Sequence, residues 1–453
     1  MGKNAKKKDY EQMPIVNKYA AGIDLGSRLH VACVLDQGEA QLKEFGTYTS
    51  DLEELCNWLL SYEITSVAIE STGIYWQPLY RMLLDYGLEV VLVKPGQYKR
   101  DKKTDYADAQ WLQKLHSMGL LSGSHVVDNN TEVLQQYWRY RQDQVSRCGD
   151  CVRRLQKVLR QMNICLEVVV SNIVGSTGLK ILESILSGER DVKRLASYRH
   201  GNIKASEEEI EKALRGDWRE VYLELLRVHY EEYQFHQSKI VQMDKKIEAV
   251  LERYTGSVLH EQHKEEAKEV VIKKKRSKNS PSFNIQHYSY ALFGGVDLSR
   301  IPGVSHGLLM TLLCEVGPDL SKFKSSGAFT QWLRLTPNNK ISGGKLNSSK
   351  SKRTRQRLSQ AFKDCANTVG NSRSGDLSGF FKRIAYRKGR GAAIYATARK
   401  IAVIVWNMLT KKEAYNYRSN EVYEQKIRIK QINNIQKHIL RLQLKPEDLV
   451  FQT

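Results

Sequence analysis

Apolar positions fall in short runs over the first quarter of the chain and in helical stripes after it. Apolar or alternating runs at about 19–25, 30–35, 43–48, 65–70 and 89–93 predict strands. Between them, helical patterns fall near 50–61, 74–86 and 105–118. Three strands in succession, joined by Gly26-Ser27-Arg28 and Asp36-Gln37-Gly38, precede strand–helix alternation. That order predicts an α/β domain over 18–125, a mixed sheet with an antiparallel meander at one side and flanking helices.

From about 130 to 255 the periodicity is helical throughout. Thr131 is a candidate N-cap for a long helix through Val152, Leu155 and Leu159. A second helix, about 216–254, carries a seam of Leu226, His229, Tyr233, His236, Ile240, Met243, Ile247 and Val250. Its 3-4 spacing is a coiled-coil pattern, which fits either an antiparallel hairpin within the chain or a dimer interface. A basic insert at 256–294 contains Lys273-Lys274-Lys275-Arg276, either a solvated loop or a nucleic-acid contact. A mainly helical domain follows at 295–415, then a basic amphipathic tail at 416–453. It opens with Ile301-Pro302-Gly303-Val304-Ser305-His306-Gly307, which resembles half of a helix-hairpin-helix element and offers free backbone N–H groups to a phosphate.

Charge narrows the class of partner. Among 453 residues, 71 Lys+Arg against 50 Asp+Glu give a formal +21, which favours polyanions through counterion release. No apolar run approaches the roughly 20 residues of a spanning helix, and Met1–Lys8 lacks the apolar core of a secretory signal. The expectation is a soluble protein of the bacterial cytoplasm, associated with the nucleoid and not with a membrane. Seven cysteines, an odd number, fit a reducing compartment. Cys148 and Cys151 form a lone CxxC in a helical stretch and read as ordinary helix residues, and His260 and His263 as solvated ones.

Four carboxylates stand in places that packing alone disfavours. Asp24 lies at the end of an apolar strand between Gly22 and Gly26, and Glu70 ends Val67-Ala68-Ile69-Glu70. Asp105 and Asp108 are three apart on a helix and share a face, the spacing of a solvated pair as much as of a site. Together the four could hold two Mg²⁺ ions by hard oxygen ligands, about 4 Å apart, around a phosphodiester. Their order resembles that of the RuvC/RNase H class of metal nucleases. Some 230 residues on, Ser342 precedes two glycines that leave room for a phosphate. Lys340, Lys345, Lys350, Lys352, Arg353 and Arg355 surround it in sequence, as candidate DNA contacts and stabilisers of charge on phosphorus. Read locally, the same Ser-Gly-Gly is a turn in a basic loop.

Taken together, the motifs resemble one family. Gly22-Ile23-Asp24, Ile69-Glu70-Ser71-Thr72-Gly73-Ile74-Tyr75-Trp76 and Lys103-Thr104-Asp105-Tyr106-Ala107-Asp108-Ala109 resemble the N-terminal domain of the DEDD transposases of insertion-sequence family one hundred and ten. Ile301-Pro302-Gly303-Val304, Leu335-Thr336-Pro337, Ile341-Ser342-Gly343-Gly344-Lys345 and the stretch from Phe381-Lys382-Arg383 to Trp406-Asn407-Met408-Leu409 resemble that family's C-terminal domain.

The resemblance implies a recombinase that excises and inserts its own element. Asp24, Glu70, Asp105 and Asp108 would form the Mg²⁺-binding tetrad, and Ser342 would be the nucleophile of a transient phosphoserine link. It also implies a structured guide (bridge) RNA that pairs with donor and target DNA, and a dimer or tetramer assembled through the coiled coil. Lys274, Lys275 and Arg276 are further candidate nucleic-acid contacts. The long basic insert and the tail depart from the family's pattern. Two rivals remain: a RuvC-like endonuclease or Holliday-junction resolvase using activated water, and a non-catalytic nucleic-acid-binding protein.

Overall fold

The pleat of one strand organises the N-terminal unit. In strand β1 (Ala20–Leu25), Ala21, Ile23 and Leu25 point to one face of the sheet, and Gly22 and Asp24 to the other. The structure, a computed structural model, describes residues 14–95, 104–258, 279–349, 356–373, 375–416 and 420–443. It divides into two compact units, 1–126 and 127–453.

The first unit is built on a five-stranded mixed sheet ordered β3-β2-β1-β4-β5. β2 (His30–Asp36) pairs antiparallel with β1 and with β3 (Glu39–Phe45). β4 (Ser66–Glu70) is parallel to β1 and to β5 (Glu89–Val93). The two-residue turn Gln37-Gly38 starts β3 at once, so it runs over 39–45 and not the 43–48 expected from its pattern. Helices α1 (Thr49–Ser61) and α2 (Trp76–Asp85) press Leu55, Leu59, Leu79 and Leu83 against Ile23 and Ile69. Helix α3 (Asp105–Ser117) packs against the opposite face, where Ala109 meets Val31 and Cys33. The expected fold class, an RNase H-like α/β domain followed by a helical region, is the one observed.

The second unit is built on a helical hairpin, α4 (Asn129–Gln161) against α9 (Glu220–Val258). Asp128, not Thr131, caps α4: its carboxylate accepts the Thr131 N–H at 3.0 Å and the Thr131 hydroxyl at 2.6 Å, so the threonine lies one turn inside. The α9 seam is directed into the chain. Leu226, Tyr233 and Ile240 join Leu155 and Leu159 of α4 in one core, while Met243, Ile247 and Val250 join Leu134 and Trp138 in another. Cys148 and Cys151 are buried free thiols in the first of these cores. Four short helices, α5 (Leu166–Val169), α6 (Ser176–Leu186), α7 (Val192–Ala196) and α8 (Glu207–Leu214), close it.

The second core continues into the C-terminal helices α10 (Ile285–Leu292), α11 (His306–Val316), α12 (Ser326–Trp332), α13 (Arg357–Asn371) and α14 (Asp376–Lys411). Among the described residues α14 alone is long and apolar enough, by length and composition, to cross a membrane, although no such run was expected. Its Ala398, Ile401, Ala402 and Val405 are buried in this core. Helix α15 (Asn420–Leu442) follows, with Ile429, Ile432 and Ile435 exposed.

A buried ion pair fixes the hairpin. Arg141 of α4 and Asp244 of α9 are 3% and 4% exposed and meet through two hydrogen bonds. Arg141 also donates to the Asn279 carbonyl at 3.2 Å, and Asp244 accepts the Ser282 N–H at 3.0 Å. Each guanidinium nitrogen and each carboxylate oxygen of the pair therefore has a partner, as a buried charge requires. Asp244→Ala leaves the guanidinium buried and uncompensated, and should lower stability by about 3–5 kcal/mol in chemical denaturation.

Candidate active site

Residue 22 decides how close a helix can come to the sheet. A Cβ on Gly22 would lie 2.2 Å from the Gln113 backbone nitrogen and 2.6 Å from the Ala109 carbonyl oxygen. Helix α3 thus lies directly on the backbone of β1. Side chains clamp it there: Gln113 donates to the Ala20 carbonyl at 3.2 Å, and His116 shares a 2.8 Å hydrogen bond with Ser66 at the start of β4. At the other end of α3, the exposed Tyr106 hydroxyl donates to Glu44 of β3 at 2.6 Å.

This clamp brings the four acids together. The β1–β4 register pairs Ile23 with Ile69, so one residue further Asp24 and Glu70 sit side by side at the ends of parallel strands. Asp24 projects to the α3 face, where Thr104 caps the helix by accepting the Ala107 N–H at 3.3 Å. Asp105 and Asp108 occupy the first turn beyond that cap, where the helix dipole favours negative charge. Asp24 records the crowding. Burial first, then the charges of Asp105, Asp108 and Glu70, push its carboxyl up from 3.8 to about 6.

Among the described residues no cation forms an ion pair with any of the four. Nor, among those residues, do three acids stand close enough to hold a metal ion as they are placed. The donor chemistry nevertheless fits a divalent cation: hard oxygen ligands, mutually repelling.

Ser342 lies in the second unit. It ends β6 (Lys340–Ser342), joined to β7 (Lys345–Ser348) by Gly343 and Gly344, with φ of +54° and +74°. Positive φ at both central positions makes this a two-residue hairpin turn, which glycine adopts without strain. The register sets Lys345 directly across from Ser342, on the same face. Lys340, Ser342 and Lys345 are all exposed, and a Cβ at either glycine would meet nothing within 4 Å. Ser342 is therefore at an open hairpin tip, with Lys345 as its cross-strand partner. Lys350, Lys352, Arg353 and Arg355 lie outside the described residues, as do Lys274, Lys275 and Arg276.

Sequence reasoning missed the Tyr106–Glu44 and His116–Ser66 clamps. Their only signal was the placing of polar residues on the sheet-facing side of α3. It also missed that Ile341 and Leu346, cross-strand partners in the hairpin, are 64% and 58% exposed.

Two outcomes follow. The raised Asp24 carboxyl means that the folded chain holds this proton more tightly than the unfolded chain. Without divalent cations, stability should fall as pH rises from about 4 to about 6, and the loss is complete above that range. Asp24→Asn should flatten this slope and, near pH 7 without metal, raise stability by about 1–2 kcal/mol after allowance for solvent screening. Thermal melts in EDTA across this pH range read both. Gly22→Ala forces α3 off β1 and should cost about 1–3 kcal/mol by overpacking. It should also lower divalent-cation affinity, measured by calorimetry on a variant whose circular dichroism is unchanged.

Two family models match, in chain order. A DEDD transposase model of IS110 covers residues 21–164, which include all four acids. A transposase model of the IS116/IS110/IS902 family covers residues 297–380, which include Ser342. No curated protein matches the chain. DEDD transposase domains typically depend on a divalent metal, in keeping with the acids gathered on α3 and the sheet. With an RNase H-like sheet bearing the acids and a helical region bearing the second match, the chain belongs to the IS110 family of transposases, enzymes that act on DNA.

Proposed function

We propose that this transposase is an RNA-guided, Mg²⁺-dependent DNA recombinase whose nucleophile is Ser342. The observation that carries the reading is a division of labour. Four acids crowd one end of the sheet, while an exposed serine stands apart from them in sequence, at a glycine hairpin with Lys345 across from it. Asp24, Glu70, Asp105 and Asp108 would hold the metal. When bound, Mg²⁺ supplies positive charge to the non-bridging and leaving oxygens of the phosphate.

The chain's own groups then account for the exchange. The Ser342 Oγ forms a bond to phosphorus as the scissile P–O bond breaks, and the DNA hydroxyl departs with a proton. Lys340 and Lys345 lie where negative charge accumulates on the phosphoryl oxygens. Attack by the hydroxyl of a second DNA strand on the phosphoserine reverses the sequence and rejoins the DNA. No water is consumed, so the phosphodiester energy is conserved in the serine ester.

A guide RNA as the source of target choice rests on the family resemblance and on the formal charge of +21. Lys274, Lys275, Arg276, Lys350, Lys352, Arg353 and Arg355 are the candidate contacts outside the described residues. Assembly into a dimer or tetramer rests on the same resemblance. The α9 seam faces α4, but Val221, Leu225, Val228 and Phe235 are 41–60% exposed on another face of α9 and suit pairing between copies.

Trapping with denaturant tests the nucleophile. Ser342→Ala should lose the denaturant-stable protein–DNA adduct and lower recombination by about 10³-fold or more, with nucleic-acid binding retained. EDTA should suppress adduct formation in the unaltered protein. Adduct formation by the Ser342→Ala variant would refute the assignment. Cut but unlinked DNA from the unaltered protein would point to a nuclease using activated water.

A further inference from the structure

Helix α14 is two helical segments, bent at Gly389, where φ is +83° and ψ 164°. A groove of about 1040 Å³ lies along the two segments, at the upper end of ligand-pocket size. On the first segment it is lined by Phe380, Ile384, Arg387 and Lys388, at helical i, i+4, i+7, i+8 spacing. On the second, Gly391, Tyr395 and Arg399 recur every four residues, with Ala392 and Ala396 leaving the floor low. The bend thus turns two ordinary helix faces towards one cleft.

The lining is cationic and aromatic in alternation. Lys400 Nζ lies 4.6 Å from the centre of the Phe380 ring, and Lys363 Nζ lies 4.7 Å from that of Tyr395. Both rings are only partly buried. No carboxylate lines the groove among the described residues, and none there pairs with Arg387, Lys388 or Arg399. Three cations with no carboxylate partner among the described residues, beside two partly exposed rings, suit a polyanion with exposed flat faces. Base faces are accessible only in an unstacked strand, since a duplex hides them.

The groove also reaches the serine hairpin. Leu335 and Pro337, just before β6, and Ser349, just after β7, line it. A strand joined to Ser342 would therefore be led along it.

We propose that this groove binds single-stranded DNA, stacking unpaired bases on Phe380 and Tyr395 and holding their phosphates with Arg387, Lys388, Arg399 and Lys400. The strand is the one flanking the phosphate joined to Ser342, so this assignment rests on the recombinase reading. The groove keeps the cleaved end unpaired and close to the hairpin until it is rejoined.

The test uses the full chain carrying Ser342→Ala, in EDTA, so that neither bond formation nor metal enters the readout. Failure of the groove then leaves the serine assignment untouched, and failure of the serine assignment leaves the groove untouched. Fluorescence anisotropy compares a single-stranded DNA of about twelve nucleotides, its duplex and the RNA of the same sequence. Joint Phe380→Ala and Tyr395→Ala replacement should weaken single-stranded DNA binding about tenfold or more, and duplex binding by no more than about twofold. Tyr395→Phe keeps the ring and should bind as the parent does. Arg387→Gln and Arg399→Gln, both at exposed positions, should weaken single-strand binding and flatten its salt dependence, and they carry the test if the aromatic variant melts early. Equal losses on single strand and duplex, no loss on the single strand, or tighter binding of RNA than of DNA would each overturn the proposal.

Discussion

Helix α3 can lie on strand β1 only because residue 22 has no side chain. With the Gln113 nitrogen and the Ala109 oxygen inside the space of a methyl group, helix and strand backbones are in direct contact. That contact lowers the first turn of α3 to the level of the strand ends, where Asp24 and Glu70 emerge. A helix held off by a side chain would carry Asp105 and Asp108 away from them. The electrostatic strain on Asp24, with its carboxyl pushed up to about 6, is the direct product of this packing. Strain of this kind is tolerated where function uses it, and a divalent cation among the acids would turn repulsion into ligation.

The second unit meets a different constraint. Its long hairpin has to be held in one register, although a heptad seam tolerates sliding by whole turns. The Arg141–Asp244 pair supplies the register, since a one-turn slip would bury both charges unpaired. Arg139 adds a second tie, donating to Glu315 of α11 at 3.0 and 2.7 Å, and the Trp138 indole donates to Thr311 at 3.1 Å. Against this fixed frame the β6–β7 hairpin is small and exposed. The nucleophile proposed for Ser342 has to meet a bulky, charged phosphate, and such a projection suits that role better than a core would; the turn glycines keep its surroundings open.

Much of this was legible in the residues. The acids at strand ends stood out because Asp and Glu are disfavoured there, and the Asp-x-x-Asp spacing put two more on one helix face. Strand and helix positions followed from periodicity because most elements of the first unit bury one clear face. Where the reading slipped, a local turn or cap had outweighed periodicity: the Gln37-Gly38 turn moved β3, and Asp128 captured the cap expected of Thr131. The α9 seam had two valid partners, another copy or α4, because an apolar stripe does not specify which helix covers it. The chain's own α4 covers it.

By itself the sequence determined the kind of chemistry available. Carboxylate, serine and lysine identities are chemical facts that folding does not alter, and their order along the chain carried the family likeness. Tertiary structure alone decided which of these groups share a place. Asp24 and Asp108 are 84 positions apart in number and become neighbours because a helix lies against a glycine. Phe380 and Tyr395 reach one groove because α14 bends at Gly389. In both cases the deciding quantity is a distance between backbones. It is set by the absence of a side chain or by a positive φ, and periodicity carries no record of either.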